Sequence, residues 1–211
     1  MGKSPIHPAE LGAVLAGSID PNAIVIRENQ TGKYDSFNFG FRDGEQFWLA
    51  TTGYSLGWGI GAATGAKLAA PDRQVVCTIG DGATMYSASG FWTQVRYGVP
   101  VLTVLSNNHN YQGVRHAFHR YNGKSAESGK YIGMYLGEPE IDFVKLAESQ
   151  GVSAEKVENV EDLRAALERG KAATRAGNPY LVEVMVSRTG GWADSTWHQE
   201  FKLADKRTRK I

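Results

Sequence analysis

The chain holds one cysteine, Cys77, in 211 residues. That excludes an intrachain disulfide, a four-cysteine zinc site and any cluster held wholly by its own thiolates, and a reducing, cytoplasmic setting is the expectation that follows. No sign of charge dominates. With 23 Lys and Arg against 22 Asp and Glu, the formal net charge is +1, which argues against an electrostatic grip on nucleic acid or anionic lipid. The residues after Met1 do not read as a basic-then-apolar leader, and no apolar run approaches membrane-spanning length. What is present, 42% hydrophobic and 21% charged residues, suits one sizeable core and small-molecule partners.

Apolar runs of strand length alternate with helix-length stretches. The strand candidates are 23–27 (AIVIR), 47–51 (FWLAT), 74–79 (QVVCTI), 101–106 (VLTVLS) and 180–186 (YLVEVMV); continuous β-branched runs of this kind suit strands buried on both faces. Helices are expected over 8–19, 56–69, 87–98, 141–150 and 160–176, the last ended by Gly177 ahead of Pro179. The alternation predicts an α/β three-layer sandwich, with a mostly parallel central sheet and helices on both faces. Residues 120–140, rich in Gly, Ser and Lys, read as a loop.

The stretch TIGDGATMYSAS, residues 78–89, places Asp81 between two glycines where an apolar run stops, and SNNHNY follows the next run. Parallel neighbours joined by a right-handed crossover end on the same sheet edge, roughly 5 Å apart, so side chains from both ends can meet at one ion. Ligands of open α/β sheets bind outside that edge. Gly80 and Gly82 admit close backbone approach, and a helix starting near Ser87 offers N–H groups that favour an anion. A carboxylate facing an anion repels it, and a hard divalent cation bound by Asp81 and an Asn amide oxygen removes the conflict. The expected ligand is a diphosphate–magnesium pair.

With GDG after one strand, NN after the next and a Gly-rich helix ahead of both, GDGATMYSASGFWTQVRYGVPVLTVLSNN resembles the thiamine diphosphate signature of the benzoylformate decarboxylase and acetolactate synthase group. The similarity extends through IRENQTGKYD, TTGYSLGWGIGAATGAKLAAPDRQVV and NYQGVR, from about Ala23 to Val186. Carried over by position, the resemblance implies Asp81 and Asn108 as side-chain ligands of Mg²⁺ and the main-chain carbonyl of Asn110 as a third. Gly80 belongs to the same cofactor-binding turn, and Gly82, Ala83 and Thr84 are implied as N–H donors to the diphosphate. Ala83 stands where the family usually has Ser. Tyr111 is implied beside the diphosphate, Tyr54 and Leu56 at the aminopyrimidine edge, and Leu56 as the apolar prop that bends the cofactor; a Leu opening a helix is also an ordinary core residue. Thr31 is either a diphosphate contact or a turn former. Val114 and Ala117 are implied as substrate-pocket residues, and His109 is a candidate catalytic group with solvent exposure as its alternative.

The resemblance covers only the diphosphate-binding third of a typical member. It therefore implies a partner domain or subunit that supplies the pyrimidine site and the catalytic Glu, and an oligomer, with this chain either a separately encoded subunit or an excised domain. Residues 1–187 are expected to form the cofactor domain and 188–211 an arm or lid. The implied chemistry is decarboxylation of a 2-oxo acid, with carboligation of the acetolactate synthase type as an alternative. A regulatory subunit that retains the cofactor site is a further alternative. His116 and His119 with Arg115 and Arg120 read as a solvated basic face or as a receiver of an acidic substrate. Trp192, Trp197 and His198 suit a lid or an arm packed on another subunit. The glycines of GWGIGAATG lie inside a helix stretch and make a poor dinucleotide fingerprint.

Overall fold

A computed structural model describes residues 4–28, 47–50 as backbone, and 55–199. Thr31 and Tyr54 lie outside them. Among the described residues, six parallel strands form one sheet: β1 (Ile24–Glu28), β2 (Phe47–Ala50), β3 (Val75–Gly80), β4 (Leu102–Asn107), β5 (Ser153–Val157) and β6 (Tyr180–Met185), in the order β2-β1-β3-β4-β6-β5. Among the described residues the helices are α1 (Pro8–Ser18), α2 (Trp58–Ala69), α3 (Asp81–Ser87), α4 (Gly90–Arg96), α5 (Gln112–Arg120), α6 (Lys124–Ser128), α7 (Phe143–Glu148) and α8 (Val160–Arg175).

The central strands are apolar throughout because alternate side chains enter two different cores. Val25, Val76, Leu102 and Val182 face α1 and α8, meeting Leu11, Leu15, Leu163 and Leu167. Ile24, Ile26, Cys77, Ile79 and Leu105 face the other way, onto Ile60, Phe91, Phe143 and Ala147. This is the three-layer arrangement expected from the sequence. The caps are local: Asn159 accepts the Asp162 N–H at 2.9 Å at the head of α8, and Asp142 accepts that of Lys145 at the head of α7. Gly177, at φ +90°, ends the last helical turn as its position before Asn-Pro implies.

Three expectations are corrected. The helix placed at 87–98 is two short helices, and the first begins at Asp81, so this acid occupies the first helical turn, where its charge opposes the helix dipole favourably. Residues 120–140 contain α6, and they bury Tyr131 and Met134. The Met134 carbonyl accepts the Tyr111 N–H at 2.9 Å, and the His109 carbonyl accepts that of Leu136 at 2.8 Å, so this segment braces the loop after β4. Strand β5 has no apolar run. It is an edge strand whose Glu155 pairs with Arg169 and whose Lys156 pairs with Glu140.

Candidate cofactor-binding site

In register, Glu28 of β1 lies opposite Ile79 of β3, and Gly80 opposite Ser106 of β4. The sheet therefore delivers Glu28, Asp81 and the Asn107–Tyr111 loop to one edge. A pocket of about 60 Å³ opens there, lined by Glu28, Leu56, Gly80–Ala83, Asn108 and Asn110–Val114.

Asp81 is 4% exposed. One carboxylate oxygen accepts its neighbour Gly82 N–H at 2.9 Å and the other accepts the Asn110 N–H at 3.1 Å. Burial pushes its carboxyl up to about 6 from an ordinary 3.8, against the opposing pull of the Gly82, Asn110, Asn108 and His109 amides. No cationic side chain is among these influences. Beside it, the Asn108 Oδ1 and both side-chain polar atoms of Asn110 are buried without a hydrogen-bond partner. Buried polar atoms are paired as a rule, so one carboxylate with unpaired amide oxygens is a donor set suited to a hard cation. The main-chain carbonyl of Asn110 accepts the Gln112 N–H at 2.7 Å, which leaves it one lone pair.

The loop is held from behind. Asn107 is fully buried; its Oδ1 accepts the His109 N–H at 2.9 Å and its Nδ2 donates to Glu183 of β6 at 2.7 Å. Burial pushes the Glu183 carboxyl up from its ordinary value. Of the two asparagines, the first is thus spent on shaping the loop and the second stands at the pocket.

The Tyr111 ring packs against Gly82. A methyl group on Gly82 would lie 2.3 Å from Tyr111 Cε1 and 2.6 Å from Cδ1, closer than any carbon pair tolerates. Gly82→Ala is therefore expected to cost about 1–3 kcal/mol in melting experiments, by expelling the ring. In a Tyr111→Ala background the same change should cost less than about 0.5 kcal/mol, because no ring remains to be moved.

The family profile described as thiamine pyrophosphate enzyme, C-terminal TPP binding domain, matches residues 30–184. The chain belongs to the thiamine pyrophosphate enzymes. Similar curated proteins are an acetolactate synthase large subunit of Parasynechococcus marenigrum, 32% identical over 87% of this chain and 28% of that protein, and a benzoylformate decarboxylase of Pseudomonas aeruginosa, 30% identical over 85% of this chain and 32% of that protein. Among solved structures, a thiamine diphosphate-dependent 4-hydroxybenzoylformate decarboxylase of Rhodococcus jostii superposes with a TM-score of 0.75 at 31% identity, over 87% of this chain and 33% of that one. The chain spans about a third or less of the length of these relatives.

The remaining residues implied for this thiamine pyrophosphate-binding domain fall partly at the pocket and partly away from it. Thr84 turns its hydroxyl onto the Gly80 carbonyl at 2.9 Å, so it does not replace the hydroxyl that Ala83 lacks. Val114 lines the pocket and Ala117 does not. His109, at φ +53°, turns away from the pocket and meets Glu140 at 3.3 Å.

Of the basic cluster on α5, Arg120 is exposed, whereas Arg115, His116 and His119 are engaged by other parts of the chain. Arg115 is 2% exposed, its guanidinium 4.6 Å above the Tyr131 ring, and it donates to the main-chain carbonyls of Ser195, at 3.2 Å, and Trp192. His116 and Gln112 both reach the Thr189 carbonyl, at 2.7 and 2.6 Å, and His119 meets the Tyr131 hydroxyl at 2.9 Å. These contacts bind residues 189–195 to α5. Trp192 donates its indole N–H to the Ala126 carbonyl at 2.6 Å, and none of the described residues after 188 lines the pocket at Asp81.

Glu28 and Glu183 escaped the sequence reading. A single glutamate within an apolar run has no signal distinguishing it from an exposed strand residue. For Glu28 the weak clue was its place at a strand's carboxyl end, level with Asp81.

Among the described residues no helix is long and apolar enough to cross a membrane.

Proposed function

We propose that this chain is the diphosphate-binding component of a thiamine diphosphate-dependent enzyme that decarboxylates a 2-oxo acid. The observation that carries the cofactor reading is the buried Asp81 carboxylate beside the partnerless amide oxygens of Asn108 and Asn110 at the ends of two adjacent strands. Asp81, the Asn108 amide oxygen and the Asn110 main-chain carbonyl would hold Mg²⁺, and the N–H groups of Gly82 and Ala83 would receive the diphosphate. When bound, the cofactor supplies an electron sink next to the substrate carbonyl. This chain's own contribution is to orient that cofactor and keep water from it, with Leu56 and Val114 as the apolar pocket wall.

Names among the relatives, benzoylformate decarboxylase and acetolactate synthase, support a 2-oxo acid as substrate. A partner domain that brings the catalytic Glu is supported by two observations: the chain corresponds to about a third of those proteins, and apolar side chains stand exposed beside the pocket. Tyr86 is 63% exposed on α3, and Val114 and Phe118 are 43% and 50% exposed on α5. Enclosing this face would dry the site.

Calorimetric titration of the chain with thiamine diphosphate is the test. Binding is expected with Mg²⁺ and not with EDTA. Equal binding in both conditions overturns the metal assignment, and no binding in either overturns the cofactor assignment.

A further inference from the structure

We infer that Glu28 is a positioning residue, whose carboxylate fork fixes the turn carrying Leu56 at the pyrimidine side of the pocket. The inference rests on the cofactor reading above and assigns this site a residue that acts through another.

Glu28 is the last residue of β1, is 5% exposed and lines the same pocket as Leu56 and Asp81. Its two carboxylate oxygens are divided between two amides: one accepts the Gly57 N–H and the other the Gly59 N–H, at 2.6 Å. Gly57 is the N-cap of α2, sits at φ +93°, and has no side chain with which to cap. A residue 29 positions upstream thus performs the capping that helix starts normally receive locally, with a full negative charge at the positive end of the dipole.

The surroundings leave this turn no second place to go. A Cβ on Gly59 would lie 2.7 Å from the Glu28 Oε2, and a Cβ on Gly57 would lie 2.6 Å from that of Tyr86. Between a carboxylate on one side and Tyr86 on the other, residues 57–59 are pinned, and Leu56 leaves them with a set direction. Burial pushes the Glu28 carboxyl up, opposed by the amides of Gly59, Gly57 and Trp58. Each Glu28 oxygen is engaged by a main-chain N–H of the turn, and on this ground Glu28 is assigned to hold the turn and not to react.

A merely structural Glu28 and a positioning one differ in what they do to two ligands. On the cofactor reading, thiamine diphosphate would use residues at both ends of the pocket, whereas inorganic diphosphate with Mg²⁺ would use only those at the Asp81 end. In Glu28→Gln the amide can accept one N–H and must oppose the other. Thiamine diphosphate affinity is expected to fall about tenfold or more, the scale of one charged hydrogen bond, with inorganic diphosphate affinity held within about twofold. Glu28→Asp, which keeps the charge but withdraws it by one methylene, is read in the same two titrations should Glu28→Gln not fold. Unchanged thiamine diphosphate affinity, or an equal fall for both ligands, overturns the inference. If the parent chain binds neither ligand, the cofactor reading falls and this inference with it.

Discussion

Asp81→Asn is expected to raise the melting temperature of the metal-free chain near neutral pH by a few degrees while weakening thiamine diphosphate and Mg²⁺ binding at least 100-fold. Both effects have one source. A carboxyl moved by burial from 3.8 to about 6 is ionised at neutral pH against its surroundings, at a cost to the folded state of about 3 kcal/mol. The sign follows from the raised value: the folded chain prefers the protonated acid, so the charge destabilises it above that range. The amide removes the charge but also gives up one of two N–H acceptor contacts, a loss of about 1–1.5 kcal/mol. The difference, about 1.5–2 kcal/mol, corresponds to roughly 3–8 °C for a chain of this size. Binding moves the other way, because the same carboxylate is the single anionic ligand assigned to the cation. Thermal melts with and without Mg²⁺ and cofactor check both halves. A lower melting temperature for the metal-free variant contradicts the buried-charge account, and retained cofactor affinity removes Asp81 from the metal site.

The second large effect is expected at Arg115, the buried cation of α5. Arg115→Met conserves much of the volume but removes the guanidinium bonds to the Ser195 and Trp192 carbonyls, which keep only Arg188 and the Ser195 N–H respectively, and removes the cation over Tyr131. The cost is placed at about 2–4 kcal/mol, or roughly 5–12 °C in melting temperature. The release should be directional. Residues 189–195 lose their main anchor to α5, so limited proteolysis should cut there before the sheet unfolds, whereas Asp81 and Asn108 keep their surroundings and cofactor affinity changes little. Arg115→Lys should behave more like the Met variant than like the parent, since an ammonium cannot span two carbonyls in one plane. A parent-like melting temperature and cleavage pattern for Arg115→Met would assign the holding of the arm to its other contacts, through Thr189, Trp192 and Ser195.

Burial of both faces made β3, β4 and β6 visible as largely apolar runs, and their parallel order followed from the helical stretches between them. The same rule concealed β5, because SAEKV is an edge strand whose charged residues find partners at the surface. Asp81 and Asn108 were legible because each follows an apolar run directly and strand register brings the run ends together. The helical start at Asp81 was hidden by its own glycines, which argue for a turn by propensity but are tolerated in a first helical turn beside an acid. Arg115 illustrates a different limit. Its neighbours His116 and His119 make the helix look like a basic surface, and only the return of the chain near residue 190 turns that surface inward. Periodicity within one helix carries no information about a segment 75 residues further on.

The last strand of the sheet also sets an order of assembly. β6 lies between β4 and β5 and carries Glu183, the acceptor for the Asn107 amide. While a ribosome is still adding residues before Tyr180, β5 has no neighbour, β4 has an open edge and the loop bearing Asn108 lacks its rear brace. The nascent chain can hold β1, β3 and β4 together before then, yet the loop bearing Asn108 is braced from behind only when the final seam closes.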